Sequence, residues 1–254
     1  MVTDSPGRAL LLFSLPMILG NLFQQFYNMM DTIIVGKFLG VSALASVGAT
    51  GSINFMIIGF CMGVCNGFAI PVAQRFGAKD EHGMRKFVAN SVWLSIIFAV
   101  VMAVLVCVFC RQILELMNTP EDIIDGSYSY IFVIFLGIPA TYMYNLLSGI
   151  MRSLGDSKTP LYLLIFSSIL NIILDLLSII VLKMGVAGAA WATVIAQAVS
   201  GFCCLGVIWK KFPILHVQRE EWQPDKLCIL NLCNMGIPMG LQYSITAIGS
   251  VIIQ

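Results

Sequence analysis

The chain has 254 residues, of which 59% are apolar and only 11% charged, with a net charge of +1 and a mean hydropathy of +0.92. A water-soluble domain carries about 25% charged residues, so most of this surface faces something other than water and a soluble globular domain is excluded. Charge this close to balance, with no basic run, gives no sign of a nucleic-acid partner.

The charges fall in short clusters between apolar stretches of about 20 residues, enough to cross a hydrocarbon core of roughly 30 Å. No ten-residue alternation of the kind found in membrane β-strands is present. The expected fold is therefore all-α and integral to the membrane. Spans are predicted over residues 10–35, 44–72, 87–110, 127–150, 161–182 and 186–209, with a seventh from 228 to the last residue. The first outlasts a signal-peptide core and has no small-residue cleavage site after it, so it is expected to stay as a span. Between spans lie turn signals such as Gly77-Ala78-Lys79-Asp80, Asn118-Thr119-Pro120 and Gly155-Asp156-Ser157-Lys158. Pro16 and Pro139 fall inside spans and imply helix kinks. Gly59, Gly63 and Gly67 form a GxxxGxxxG ridge on span two, read as a close-packing face. The eight cysteines, including the CxxC pair Cys107 and Cys110, lie in apolar runs and read as small buried hydrophobes. The two histidines, His82 and His216, are expected in loops.

Lys and Arg are distributed unequally. The N-terminus and the loops after spans two, four and six hold 11 of them, and the opposite side holds Lys37, Arg111 and Lys183. This bias predicts a cytoplasmic N-terminus in the cytoplasmic membrane. The segment after span six is the longest and most polar, and reads as a connector between two bundles. Beyond it Ile237-Pro238-Met239, with Gly240 and Gln242, repeats Leu15-Pro16-Met17, with Gly20 and Gln24, as in transporters built from internal repeats. The expected organisation is a six-helix lobe at 1–209, a cytoplasmic loop at 210–227 and the start of a second lobe at 228–254, with the chain cut short in its seventh span.

Two acids, Asp31 and Asp175, fall within spans rather than in loops or at span ends. A carboxylate in the hydrocarbon region costs at least a few kcal/mol and marks a functional site by default. No Lys or Arg is predicted inside any span to neutralise them, so each must be protonated, hydrated or holding a cation. Both sit on polar helix stripes: Asn21, Gln24, Asn28 and Asp31, with Tyr27, on span one; Ser168, Asn171, Asp175 and Ser178 on span five. At 1.5 Å per residue, Asp31, Asp175 and Thr193 of span six reach one depth, roughly 10 Å below the outer surface. Oxygen ligands of this kind suit Na⁺, and desolvated carboxylates suit proton carriage equally.

The stretch Ser14-Leu15-Pro16-Met17-Ile18-Leu19-Gly20-Asn21-Leu22-Phe23-Gln24-Gln25-Phe26-Tyr27-Asn28-Met29-Met30-Asp31 closely resembles the first helix of the multidrug and toxic compound extrusion (MATE) family. Met151-Arg152-Ser153-Leu154-Gly155-Asp156, Asn171-Ile172-Ile173-Leu174-Asp175 and Gly185-Val186-Ala187-Gly188-Ala189-Ala190-Trp191-Ala192-Thr193 are similar to later parts of the same family, in the right order. The resemblance implies twelve helices in two six-helix lobes around a V-shaped cavity, and Na⁺- or H⁺-coupled antiport of cationic or amphipathic compounds by a protein that is not an enzyme. It implies a coupling site of Asp31, Asn171, Asp175 and Thr193, with Asn145 of span four, and a substrate cavity walled by Gln24, Tyr27, Asn28 and Ser168. No cofactor is expected beyond the coupling ion, and the full-length protein is expected to be monomeric. Position 253, which repeats the place of Asp31, is Ile253, so the acid is not duplicated in the second lobe. The rival reading is a lipid-linked oligosaccharide flippase of the same superfamily, which would place cationic residues in the cavity.

Overall fold

A computed structural model describes the backbone of residues 6–253 and the side chains of residues 13–246. Among the described residues every regular element is helical. An apolar surrounding leaves backbone N–H and C=O groups no partner but each other, which a helix supplies within one segment. Nine α-helices follow in order: α1 (Pro6–Leu39), α2 (Val41–Gly77), α3 (Glu81–Val108), α4 (Cys110–Leu116), α5 (Glu121–Leu136), α6 (Ile138–Ser153), α7 (Lys158–Leu176), α8 (Val186–Lys211) and α9 (Lys226–Ile253). By length and hydropathy α2, α3, α8 and the stretch Lys158–Val181, which is α7 and the turn that continues it, are each able to cross a membrane, and α5 with α6 makes a fifth if the bent pair is one span. The expected end of the seventh span at Gln254, and the side chains of Arg8 and Ile253, lie outside the described residues.

Local chemistry sets the boundaries. Gly40, at φ 89°, is the single residue between α1 and α2, a conformation that costs a Cβ-bearing residue strain. Asp80 caps α3 by accepting the Gly83 N–H at 2.9 Å, and this bond, with Arg75 alongside, holds its carboxyl below the usual range. Asp156 caps α7, accepting the Thr159 N–H at 3.0 Å and the Thr159 hydroxyl at 2.6 Å.

The count of nine exceeds the six spans of one lobe for three reasons. The span expected at 127–150 is broken at Gly137 into α5 and α6, which meet at 47° two residues before Pro139. Pro16, by contrast, lies within a helix that continues through it. The span expected at 87–110 ends at Phe109, and a separate short α4 follows. The ninth helix lies beyond the connector. The span expected at 161–182 also changes character: α7 passes into a π-helical turn, Leu177–Val181, directly after Asp175 and Leu176. Two placements differ as well. His82 lies in the first turn of α3 rather than in a loop, and Arg152 lies inside α6 rather than after it.

α2 is the axis of the bundle, packing against α9, α6, α5, α3 and α1. Its glycine ridge makes the closest approach. A Cβ on Gly63 would stand 2.6 Å from Met239 O, and one on Gly67 would stand 2.5 Å from Gly236 Cα, so two backbones are in contact along this seam. The outer face of α3 is the opposite case. Ile97, Val100, Val101, Val104 and Val108 are all exposed, an apolar stripe suited to lipid tails.

The connector from α8 to α9 is clasped to α3. The Glu221 carboxylate is 1% exposed and accepts from Arg85 Nε at 2.9 and 3.0 Å, from the Gln218 N–H at 2.8 Å, and contacts His82 Nδ1 at 2.9 Å. Burial pushes this carboxyl up, but the Gln218 N–H and the Arg85 and His82 bonds together bring it below its usual range. Trp93 donates from Nε1 to Trp222 O at 3.2 Å, and the two rings meet edge to face. The Asp225 N–H donates to Asn90 Oδ1 at 3.0 Å, while Asp225 Oδ1 accepts the Leu227 N–H at 2.8 Å and so caps α9.

Candidate functional site

Three helices converge on the predicted acids. α1 contributes Tyr27 and Asp31, α7 contributes Asn171 and Asp175, and α8 contributes Thr193. Asp175 and Asn171 are fully buried, and Asp31 is 8% exposed. The Tyr27 hydroxyl donates to Thr193 Oγ1 at 3.2 Å. The Asn171 amide, turned to satisfy both of its ends, donates to Asp175 Oδ2 at 3.1 Å and accepts from the Thr193 hydroxyl at 3.3 Å. The Asp31 and Asp175 carboxyls are close neighbours in this cluster. One oxygen of each, Oδ1, is buried without a partner among the described residues. Two carboxyls can share a hydrogen bond only if one carries a proton, and two ionised carboxylates side by side repel unless a cation lies between them. The cluster therefore has room, in charge and in hydrogen bonding, for one positive unit.

The cluster adjoins a cavity of about 510 Å³. Asp31, Tyr27 and Thr193 line it, whereas Asp175 and Asn171 lie behind the wall. Of the other predicted residues, Gln24 and Asn28 line the cavity, and so does Asn145, whose amide donates to Thr141 O at 2.8 Å. Ser168 is not in the lining; its hydroxyl donates to Leu164 O at 2.9 Å within α7. The lining also contains polar residues that the sequence pattern does not single out: Tyr130, Thr141, Asn54 and Gln197. Asn54 Oδ1 and Gln197 Oε1 are buried without partners among the described residues. For two of the four, a four-residue spacing is the one signal the sequence offers, since Gln197 follows Thr193 and Asn145 follows Thr141 on one helix face. No Lys or Arg is among the lining residues, so Asp31 is their one charged group. No group of three or more His, Cys, Asp or Glu poised to hold a metal occurs among the described residues, and all eight cysteines are free.

The MatE family model matches residues 16–177. Curated relatives include the Probable multidrug resistance protein YoeA of Bacillus subtilis, 32% identical over 97% of this chain and 55% of its own length. Another is the Multidrug export protein MepA of Staphylococcus aureus, 24% identical over 91% of this chain and 51% of its own length. The chain thus spans about half the length of the curated relatives it matches. Among solved structures, the outward-facing conformation of a multidrug resistance MATE family transporter aligns with a TM-score of 0.87 at 26% identity, covering 94% of this chain and 53% of that one. A MOP superfamily transporter from Pyrococcus furiosus aligns with a TM-score of 0.87 at 27% identity, over the same shares. With the helical membrane fold and a family match running from Pro16 through both acids, the chain belongs to the MATE family of multi-pass membrane transporters.

Proposed function

We propose that the chain forms the first six-helix lobe (1–209), the connector (210–227) and the start of the second lobe (228–254) of a drug exporter in the cytoplasmic membrane. In this reading the N-terminus is cytoplasmic, as the Lys and Arg bias supports. Export of cationic or amphipathic compounds is driven by return of Na⁺ or H⁺ through the Asp31–Asp175 pair. The observation that carries the reading is that pair: two buried, neighbouring carboxyls beside a cavity whose lining holds no basic residue.

The chemistry follows from where the two acids stand. Asp31 faces the cavity and Asp175 lies behind it, held by Asn171. An organic cation in the cavity is attracted to a negative Asp31. A proton or Na⁺ reaching the pair removes that attraction, and Asp175 gives the arriving charge a second, enclosed ligand. Drug and coupling ion thus compete for one negative charge, which is the requirement for exchange rather than leak. Asn145 faces the same cavity as a neutral oxygen and amide donor. The flippase alternative calls for a cationic lining, which the residues around this cavity do not provide. The protein is read as a monomeric transporter with no catalytic group and no cofactor.

Everted vesicles containing the protein test this directly. Dye uptake should follow an imposed Na⁺ or proton gradient and be lost in Asp175→Asn. Equal export of cationic dyes by Asp175→Asn and the wild type across a range of pH would overturn the coupling role.

A further inference from the structure

A second hollow, separate from the cavity, runs between α7 and α8 with a volume of about 510 Å³. Leu163 and Phe166 of α7 wall it on one side, and Cys203, Gly206 and Val207 of α8 on the other. Lys210 and Lys211 close one end. Cys203, Gly206, Val207 and Lys210 follow at steps of three, one and three, so a single face of α8 supplies the whole length. Phe166, Phe202 and Leu205 around it are exposed, which puts the groove on a face suited to lipid. A glycine makes the slot: at Gly206 nothing lies within 4 Å of the point where a Cβ would stand.

The two lysines at its end differ. Lys211 Nζ donates to Asp156 Oδ2 at 2.6 Å and to Thr159 Oγ1 at 2.9 Å, tying the end of α8 to the start of α7. Lys210 has no ion pair among the described residues, and the neighbouring acid, Asp156, is already engaged by Lys211. Trp209 beside it is 70% exposed, with its ring against His216 at 4.8 Å between centroids. An exposed Trp and Lys together at the end of an apolar helix mark the level of the lipid headgroups. From Lys210 back to Cys203 is about 10 Å along the helix, against roughly 15 Å for one leaflet of the hydrocarbon core. An apolar slot of that length, descending from an unpaired cation, has the polarity of one phospholipid.

We infer that the α7–α8 groove is a binding site for an anionic phospholipid, with the phosphate at Lys210 and an acyl chain laid over Gly206 between Phe166 and Val207. Basic pockets between spanning helices select anionic headgroups in this way. The inference goes beyond the export reading and does not rest on it, since it needs only that α7 and α8 cross the bilayer. A lysine acting as diffuse surface charge would attract the same lipids without needing the slot, and Gly206 separates the two cases.

The test is native mass spectrometry of the purified, delipidated full-length protein, titrated with phosphatidylglycerol or with phosphatidylcholine of the same acyl chains. Lys210→Gln should weaken phosphatidylglycerol about fivefold, the effect of one basic residue at the headgroup level, and leave phosphatidylcholine within about twofold. Lys210→Arg should bind as the wild type does. Gly206→Leu puts a side chain into the slot, meets no neighbour there and keeps the charge; it should weaken phosphatidylglycerol by at least as much. A loss in Lys210→Gln with none in Gly206→Leu leaves only diffuse charge and overturns the site. A loss in Gly206→Leu with none in Lys210→Gln, or equal losses of both lipids in Lys210→Gln, overturns the selection of an anionic head. No change in any variant, the result if another part of the full-length protein covers this face, overturns it as well.

Discussion

The seam between α2 and α9 makes a sharp demand on Gly63. Ordinary contact begins at 3.4 Å, but an alanine methyl there would stand 2.6 Å from Met239 O and 2.7 Å from Gly240 Cα. Both are backbone atoms, so no rotamer change relieves the clash, and α9 must move away by at least 0.8 Å. Against this, alanine gains roughly 0.5–1 kcal/mol over glycine inside a helix, while overpacking of a close interface costs about 1–3 kcal/mol. Gly63→Ala should therefore be a net loss of up to about 2.5 kcal/mol. Gly48, on the same helix, has nothing within 4 Å of the point where a methyl would stand, so Gly48→Ala should keep the helix gain. The quantity to measure is the difference between the two variants in unfolding of the purified protein in nanodiscs, with Gly63→Ala lower by about 1–3 kcal/mol. If Gly63→Ala is as stable as Gly48→Ala, the two backbones do not meet and the glycine ridge is not the seam.

Three further outcomes are expected. Thr193→Val removes the acceptor of the Tyr27 hydroxyl and a partner of the Asn171 amide, which should cost about 1–3 kcal/mol of stability, whereas Thr193→Ser should restore most of it; equal losses would assign Thr193 to packing alone. Glu221→Gln breaks a buried ion pair and should cost about 3–5 kcal/mol, seen as faster hydrogen exchange across 213–225 with α3 otherwise unchanged. The same clasp is pH-sensitive. Because Glu221 is held below its ordinary value near 4.5, its stabilisation is complete above that value and is lost as pH falls through the lower folded value. Trp222 fluorescence should report the loosening, and a flat profile through that window would remove Glu221 from the clasp.

Among the residues of the site, the energetically costly ones are legible in the sequence. A carboxylate in an apolar run stands out, and rise per residue alone puts Asp31, Asp175 and Thr193 at one depth; the structure brings their side chains together through Tyr27 and Asn171. Neutral polar residues are not legible in the same way. Asn54 and Gln197 carry no more signal than any amide joining two helices, and only the packed structure shows that they line the cavity. Arg152 falls outside its expected span for a physical reason. Gly155 and Asp156 are strong turn residues that end the expected span at 150, yet the helix runs to Ser153 and takes Arg152 into its last turn. Pro139 signals the break in span four, while the bend itself falls at Gly137, where no side chain opposes it. The π turn after Asp175 leaves no trace in residue types, because Leu177–Val181 would suit an α-helix equally well.

The bond between Asn90 and Asp225 fixes the foot of α9 to α3. Any tilt about this foot grows with distance along the helix. Tyr243 is 18 residues above that point, about 27 Å along the helix. A swing of about 10° carries Tyr243 sideways by about 5 Å, more than the width of a methyl group, while Lys226 barely moves. The glycine seam lies partway up the same rod, so it opens by less than the cavity above it. A tilt of α9 about the clasp would therefore be felt several-fold more at the cavity wall than at the connector.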